Sequence, residues 1–205
     1  MKTPYASRVR SIAVWGGVLL LSVLPVVAAA NSPLLAWRDP VYILSGFAGI
    51  IALAFLLVQP LLAAGLLPWI PLGSARGLHR VVGAALLVSV VLHVGGLWIT
   101  SPPDVIDALL FASPTAFSVW GVVAMWAVFA AAGLALMRRR IGLRLWRKGH
   151  TALALIIVVG SVVHAMLIDG TMEIVSKAVL CAGVVAVTLF VILRLQGSIF
   201  RRRKT

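Results

Sequence analysis

Four histidines are the residues of this chain whose type and spacing could do chemistry, and they form two pairs with one spacing. His79 and His93 are fourteen residues apart, and so are His150 and His164. On an α-helix, fourteen residues make four turns less about 40° and rise about 21 Å, so both members of a pair lie on nearly the same face. Two imidazoles that face each other across a gap in an apolar bundle are typical axial ligands of a b-type haem.

The segments that must position these histidines are apolar enough to lie in a bilayer. The sequence is 62% hydrophobic, with a mean hydropathy of +1.11. Apolar runs of about 18 residues or more predict transmembrane helices. We therefore predict an all-α integral membrane protein, with residues 1–205 forming one six-helix domain. The predicted helices are about 11–30, 42–63, 78–99, 117–137, 149–168 and 174–195.

The basic residues indicate how the helices are oriented. The formal net charge is +13, and sixteen of the 18 Lys and Arg residues fall on one side of the predicted topology. An excess of basic residues marks cytoplasmic loops, so we predict that both termini are cytoplasmic and that the chain crosses a bacterial inner membrane. This placement explains the charge without nucleic-acid binding. The basic residues of the cytoplasmic side are Lys2, Arg8, Arg10, Arg76, Arg80, Arg138, Arg139, Arg140, Arg144, Arg147, Lys148, Arg194, Arg201, Arg202, Arg203 and Lys204, and those of the other side are Arg38 and Lys177.

Helix direction pairs the histidines by depth. The third and fifth predicted helices both run from inside to outside, because both are odd-numbered crossings. His79 and His150 should then be level near the cytoplasmic side, and His93 and His164 level towards the outside. Four histidines in two matched pairs favour a cofactor site over single hydrogen bonds between helices, although the latter remains the alternative for each residue.

Other metal and proton chemistry has weaker support in the sequence. A site without haem would usually need carboxylate or cysteine ligands near the histidines, and a proton relay would need an acid within the membrane. The lone Cys181 excludes an internal disulfide and is expected to be a small buried side chain. Arg76, Arg80 and Arg147 flank the inner pair and are candidate partners of haem propionates, although as topology signals they need no such role.

Residues 1–30 have two interpretations. A basic start, an apolar run and Ala28-Ala29-Ala30 are compatible with a signal peptide. The apolar run is longer than is usual for such a peptide, which favours a retained first helix.

The pattern resembles the ferric reductase-like transmembrane family, which includes the membrane parts of ferric reductases and NADPH oxidases and the MsrQ (YedZ) proteins. The resemblance covers nearly the whole chain and rests on six helices with paired histidines on the third and fifth. The local sequence is most similar to that of the MsrQ proteins. It comprises Asp39-Pro40-Val41, the segment 47–57, Arg80 thirteen residues before His93, and Trp146 four residues before His150. MsrQ-like proteins tend to have a basic residue where His79 stands, and the complete second pair is more similar to the two-haem reductases and oxidases.

The resemblance implies an electron-transfer subunit of an oxidoreductase that binds two haems b. His79 and His150 would hold the inner haem, and His93 and His164 the outer one. Electrons would come from a separate cytoplasmic flavin reductase or from a quinol, and leave to a periplasmic acceptor that could be a protein. One alternative is an MsrQ-type haem subunit that supplies a periplasmic methionine sulfoxide reductase. An alternative of another class is a non-redox membrane transporter or scaffold.

Overall fold

The computed structural model describes the backbone of residues 4–202 and the side chains of residues 8–194. The regular secondary structure of this part of the chain is helical. That part contains no strand. The helices are α1 Pro4–Ala30, α2 Pro40–Ala63, α3 Leu72–Thr100, α4 Pro102–Leu109, α5 Ala116–Leu136, α6 Leu143–Leu167 and α7 Ile174–Arg202, with short 3-10 turns at Pro33–Leu35 and Met137–Arg139. The basic side chains that fall outside the described residues are those of Lys2, Arg201, Arg202, Arg203 and Lys204.

Six of the helices, all except α4, are long and apolar enough to cross a membrane, as the sequence predicted. They extend beyond the predicted apolar runs where polar residues continue the helix. α3 begins at Leu72 rather than at residue 78, and α6 begins at Leu143 rather than at residue 149. His79 and His150 therefore lie well inside their helices, with nearly two turns of helix before each.

Two helix starts follow from local sequence. The side chain of Asp39 accepts hydrogen bonds from the backbone N–H groups of Val41 and Tyr42 at 2.7 and 3.3 Å, and Pro40 occupies the first helical position of α2. Both features are typical of helix N-termini. The segment between the third and fourth predicted helices contains α4, where Pro102 and Pro103 lie in the first turn of a short helix.

The bundle is built from two antiparallel helix pairs. α2 packs along α3, and α5 packs along α6, while α7 contacts α1, α2 and α6. Leu57, Leu180 and Val184 are the largest side chains buried where these elements meet. Cys181 is buried beside them, as expected.

The two ends of the bundle differ in charge and are named here by it. The basic end carries Arg76 and Arg80 at the start of α3 and the segment 138–148 between α5 and α6. The acidic end carries Asp39 and Glu173 at the starts of α2 and α7.

Candidate functional site

The structure brings the four histidines together in the two predicted pairs. The ring centroids of His79 and His150 are 6.2 Å apart, with an angle of 74° between the ring planes. Those of His93 and His164 are 6.3 Å apart, with an angle of 78°. We call these the basic-end pair and the acidic-end pair. Since α3 packs mainly on α2 and α6 mainly on α5, both pairs bridge from one helix hairpin to the other.

Backbone carbonyls fix both rings of the acidic-end pair. His93 Nδ1 lies 2.8 Å from the carbonyl oxygen of Ser45 on α2, and His164 Nδ1 lies 2.9 Å from that of Phe117 on α5. A carbonyl oxygen can only accept, so each Nδ1 carries the proton and donates it. The neutral imidazole then keeps its lone pair on Nε2. Metal-ligating histidines are oriented in this way by the hydrogen bond of their other nitrogen.

A glycine one turn after each of these carbonyls makes room for the ring. A Cβ on Gly49 would lie 3.0 Å from His93 Nδ1, and a Cβ on Gly121 would lie 2.7 Å from His164 Nδ1. Gly121 is not among the residues predicted from the sequence. Its signal is a glycine on the helix before each histidine helix, four residues after the residue whose carbonyl meets the ring: Gly49 after Ser45, and Gly121 after Phe117.

A cavity of about 490 Å³ lies between the helix hairpins at the acidic-end pair. This volume is within the range of small-molecule and cofactor sites, roughly 300–1,000 Å³. His93 and His164 line it, and most of its wall is apolar, with Leu53, Leu86 and Ile157 among the side chains. The lining also includes polar side chains near the acidic end: Ser101, Asp104, Ser113, Thr115, Ser118, Thr171 and Lys177. Ser161 lines it deeper in the bundle, one turn before His164.

The basic-end pair is held differently. His79 Nδ1 donates to the carbonyl oxygen of Gln59 at 3.2 Å, whereas His150 Nδ1 is buried without a hydrogen-bond partner among the described residues. Instead, the His150 ring stacks on Trp146, one turn earlier on α6, with centroids 5.3 Å apart and planes inclined by 12°. Arg138 covers Trp146, with its Cζ 4.8 Å from the ring centroid.

The ring separations fit two ligands of one metal ion. A metal–imidazole bond of about 2.0 Å and a nitrogen-to-centroid distance of about 1.2 Å place opposed ligand rings about 6.4 Å apart. The observed 6.2 and 6.3 Å agree with this value. An edge-to-face aromatic contact covers the same distances, about 4.5–7 Å, so the orientation set by the Nδ1 hydrogen bonds is the more specific observation. The residues present therefore fit a haem at the acidic-end pair in ring separation, tautomer and cavity volume.

The predicted propionate partners lie at the basic end but are exposed. Arg76, Arg80 and Arg147 all face outward from the helices near the basic-end pair. Arg138 lies over Trp146, which stacks on His150 of the basic-end pair. Arg138 is not among the predicted propionate partners.

Within residues 8–194, no group of three or more His, Cys, Asp or Glu side chains could hold a metal ion. Sites that need three or four protein ligands, such as structural zinc, are therefore not formed there. Pairs of histidines, in contrast, are sufficient for a porphyrin that supplies the other four ligands.

Comparisons with protein-family models, with curated proteins and with solved structures find no match to this chain.

Proposed function

We propose that this chain is a b-type di-haem membrane cytochrome, similar to the ferric reductase-like transmembrane family. In this proposal it is the membrane subunit of an oxidoreductase in a bacterial inner membrane, with both termini and the basic end facing the cytoplasm. It passes electrons from a cytoplasmic-side donor, a flavin reductase or a quinol, to an acceptor on the periplasmic side.

One observation carries the proposal: two histidine pairs, each at the separation expected of ligands to one metal, bridge the same two helix hairpins. A haem bound at each pair would supply the one-electron redox chemistry of its iron. His93 and His164 would ligate one haem, and His79 and His150 the other.

The protein's own contribution is orientation and exclusion of water. The carbonyls of Ser45 and Phe117 accept hydrogen bonds from the acidic-end Nδ1 atoms, which fixes the tautomer and leaves the lone pair of each ring on Nε2, the atom that would bind the metal. The apolar side chains that line the cavity provide a low dielectric around the site. Burial and the second hydrogen bond of each ligand are among the features with which proteins tune haem potentials.

A reduced-minus-oxidised spectrum of the purified full-length protein, with a pyridine haemochrome assay, tests the proposal. We expect b-type bands and two haems per chain. A protein expressed with adequate haem supply that shows no b-type bands would be a non-redox membrane protein, a transporter or scaffold.

A second candidate has a specific observation in its favour. The large cavity is lined by the acidic-end pair and not by the basic-end pair, and His150 Nδ1 is unpartnered in the described structure. A single acidic-end haem would fit an MsrQ-type subunit that supplies a periplasmic methionine sulfoxide reductase. The haemochrome count distinguishes the two candidates, since it would give one haem per chain.

A further inference from the structure

Lys177 is a buried cation in the wall of the acidic-end cavity. It lies in the first turn of α7, and only 3% of its surface is exposed. It lines the same cavity as His93 and His164. Lys177 has no role in the electron-transfer function proposed above.

The charge of Lys177 lacks compensation within the described protein. Its Nζ donates a hydrogen bond to the carbonyl oxygen of Ile168 at 2.9 Å, which uses one of three ammonium donors. Among residues 8–194, no carboxylate forms an ion pair with it. An ionised side chain within a membrane protein is expensive unless it is paired, and such residues usually mark a functional site.

The acid nearest in sequence is committed elsewhere. Glu173, one turn before Lys177, is exposed, and its two carboxylate oxygens each accept a hydrogen bond of 2.7 Å, from the backbone N–H groups of Val175 and Ser176. It therefore serves as the N-terminal cap of α7. Asp104, in the first turn of α4, lines the same cavity as Lys177 but forms no ion pair with it. An anion bound in the cavity would supply the ion-pair partner that Lys177 lacks among the described residues.

The shape of the cavity indicates the chemical class of that anion. Its body is apolar, and hydroxyl groups such as those of Ser101, Thr115 and Thr171 lie with Lys177 near the acidic end. This arrangement suits an amphipathic ligand with a large apolar body and a carboxylate at one edge. We propose that Lys177 is the ion-pair partner of a propionate carboxylate of the haem held by His93 and His164.

This proposal rests on the proposed function, and it differs from the expectation for the arginines. Arg76, Arg80 and Arg147 are exposed at the basic end. Lys177 would instead fix the acidic-end haem and set its rotation about the axis between the two histidines. A buried ion pair with a hydrogen bond holds a carboxylate more strongly than an exposed pair does.

The test compares Lys177→Met, which keeps length but removes the charge, with Lys177→Arg, which keeps the charge. Arg38→Met is the control, since Arg38 is an exposed cation of the same end that lies over the ring of Tyr42 but does not itself line the cavity. Full-length protein in detergent is examined for haem transfer to excess apomyoglobin and for midpoint potentials by redox titration. We expect Lys177→Met to release the acidic-end haem roughly 10- to 100-fold faster. The midpoint potential of the acidic-end haem should be lower in this variant than in the wild type, because a nearby cation stabilises the more negative ferrous state. Lys177→Arg should retain most of both properties, and Arg38→Met should match the wild type.

Reconstitution with haem dimethyl ester, whose propionates carry no charge, isolates the ion pair. With the ester, wild type and Lys177→Met should release the acidic-end haem at similar rates. If the difference persists with the ester, or if Lys177→Met behaves as wild type with haem b, Lys177 is not a propionate partner. Either result leaves the b-type bands of the wild type, and hence the proposed function, intact. Absence of those bands in the wild type would instead remove the proposed function.

Discussion

The two histidine pairs are almost identical in ring geometry but differ in what holds the rings. Their centroid separations are 6.2 and 6.3 Å, and their interplanar angles are 74° and 78°. At the acidic end, each ring is fixed by a carbonyl of a neighbouring helix and is seated over a glycine. At the basic end, one ring has a carbonyl partner, and the other is held by an aromatic stack within its own helix.

The two pairs share the placement of their histidines, which is the position of each ring along its helix, and differ in the neighbouring groups that support each ring. Placement follows from the shared fourteen-residue spacing on two helices, which sets both pairs at once. Support depends on the particular neighbours of each ring. We infer that the acidic-end site is preorganised by its carbonyls, whereas the His150 ring at the basic end has no carbonyl to fix its Nδ1 among the described residues.

The largest expected effect comes from removing ligands. His93→Ala should remove the acidic-end haem and keep the basic-end haem, and His79→Ala should do the reverse. The pyridine haemochrome assay should give one haem per chain for each variant, with different remaining midpoint potentials. An unchanged haem content in His79→Ala would show that the basic-end pair binds no haem and that His79 is an interfacial residue.

A smaller effect tests the support at the acidic end. Gly121→Ala places a Cβ 2.7 Å from His164 Nδ1 and should push the ring off the Phe117 carbonyl, whereas Gly133→Ala on the same helix meets no atom within 4 Å. Overpacking of this kind costs about 1–3 kcal/mol, while an open helical Gly→Ala change is neutral or stabilising. Haem occupancy and the thermal unfolding midpoint should fall for Gly121→Ala alone. Equal behaviour of the two variants would contradict the role assigned to Gly121.

The positions of the four histidines could be predicted from the sequence, whereas the groups that hold their rings could not, and the reason is physical. Histidine spacing and helix direction depend on residue type and number, so the pairing of His79 with His150 could be read from the sequence. The carbonyls of Ser45 and Phe117 belong to the backbone, which every residue has. Which carbonyl meets a ring depends on the rotation of two packed helices, and no single sequence segment shows it.

The charged residues near the two histidine pairs were equally difficult to identify from the sequence. Lys177 counted in the sequence only as an exception to the orientation pattern, since burial of a lysine depends on the neighbouring helices. Exposed Arg76, Arg80 and Arg147 were more conspicuous because they are adjacent to histidines in the chain, yet it is Arg138 that reaches the basic-end site, through Trp146.

The basic-end stack should have an intermediate effect. Trp146→Leu removes the ring on which His150 stacks, and a stacked aromatic pair contributes about 0.5–1.5 kcal/mol beyond its area. We expect the basic-end haem to dissociate about 2- to 10-fold faster and the acidic-end haem to be unaffected. Trp126→Leu, which removes an exposed tryptophan of α5 paired with Phe129, is the control. Equal acceleration of both haems by Trp146→Leu would indicate general loosening of the bundle instead of local support.

The smallest effect concerns pH at the acidic end. Hydrogen bonds from the backbone N–H groups of Ser176 and Val175 lower the pKa of Glu173 below its ordinary value. A carboxylate with a lowered folded-state pKa stabilises the protein fully above its ordinary pKa, about 4.3, and loses that contribution as the pH falls through the folded-state pKa. The contribution is small because Glu173 is exposed to solvent. No side chain caps the start of α6 at the basic end, so the titration should be specific to the end that holds Lys177.

Glu173→Gln tests this sign, since the amide oxygen can still accept a hydrogen bond while the charge is lost. The unfolding temperature of the variant in detergent should be slightly below that of the wild type at pH 7, and the two should converge as the pH falls below 4. Asp169→Asn removes a carboxylate charge from the same connection between α6 and α7 and is the control for the change in net charge. A deficit of Glu173→Gln that is constant with pH would mean that the cap acts through hydrogen-bond geometry alone. The acidic end would then owe its firmer support to carbonyls and glycines, without an electrostatic contribution from the start of α7.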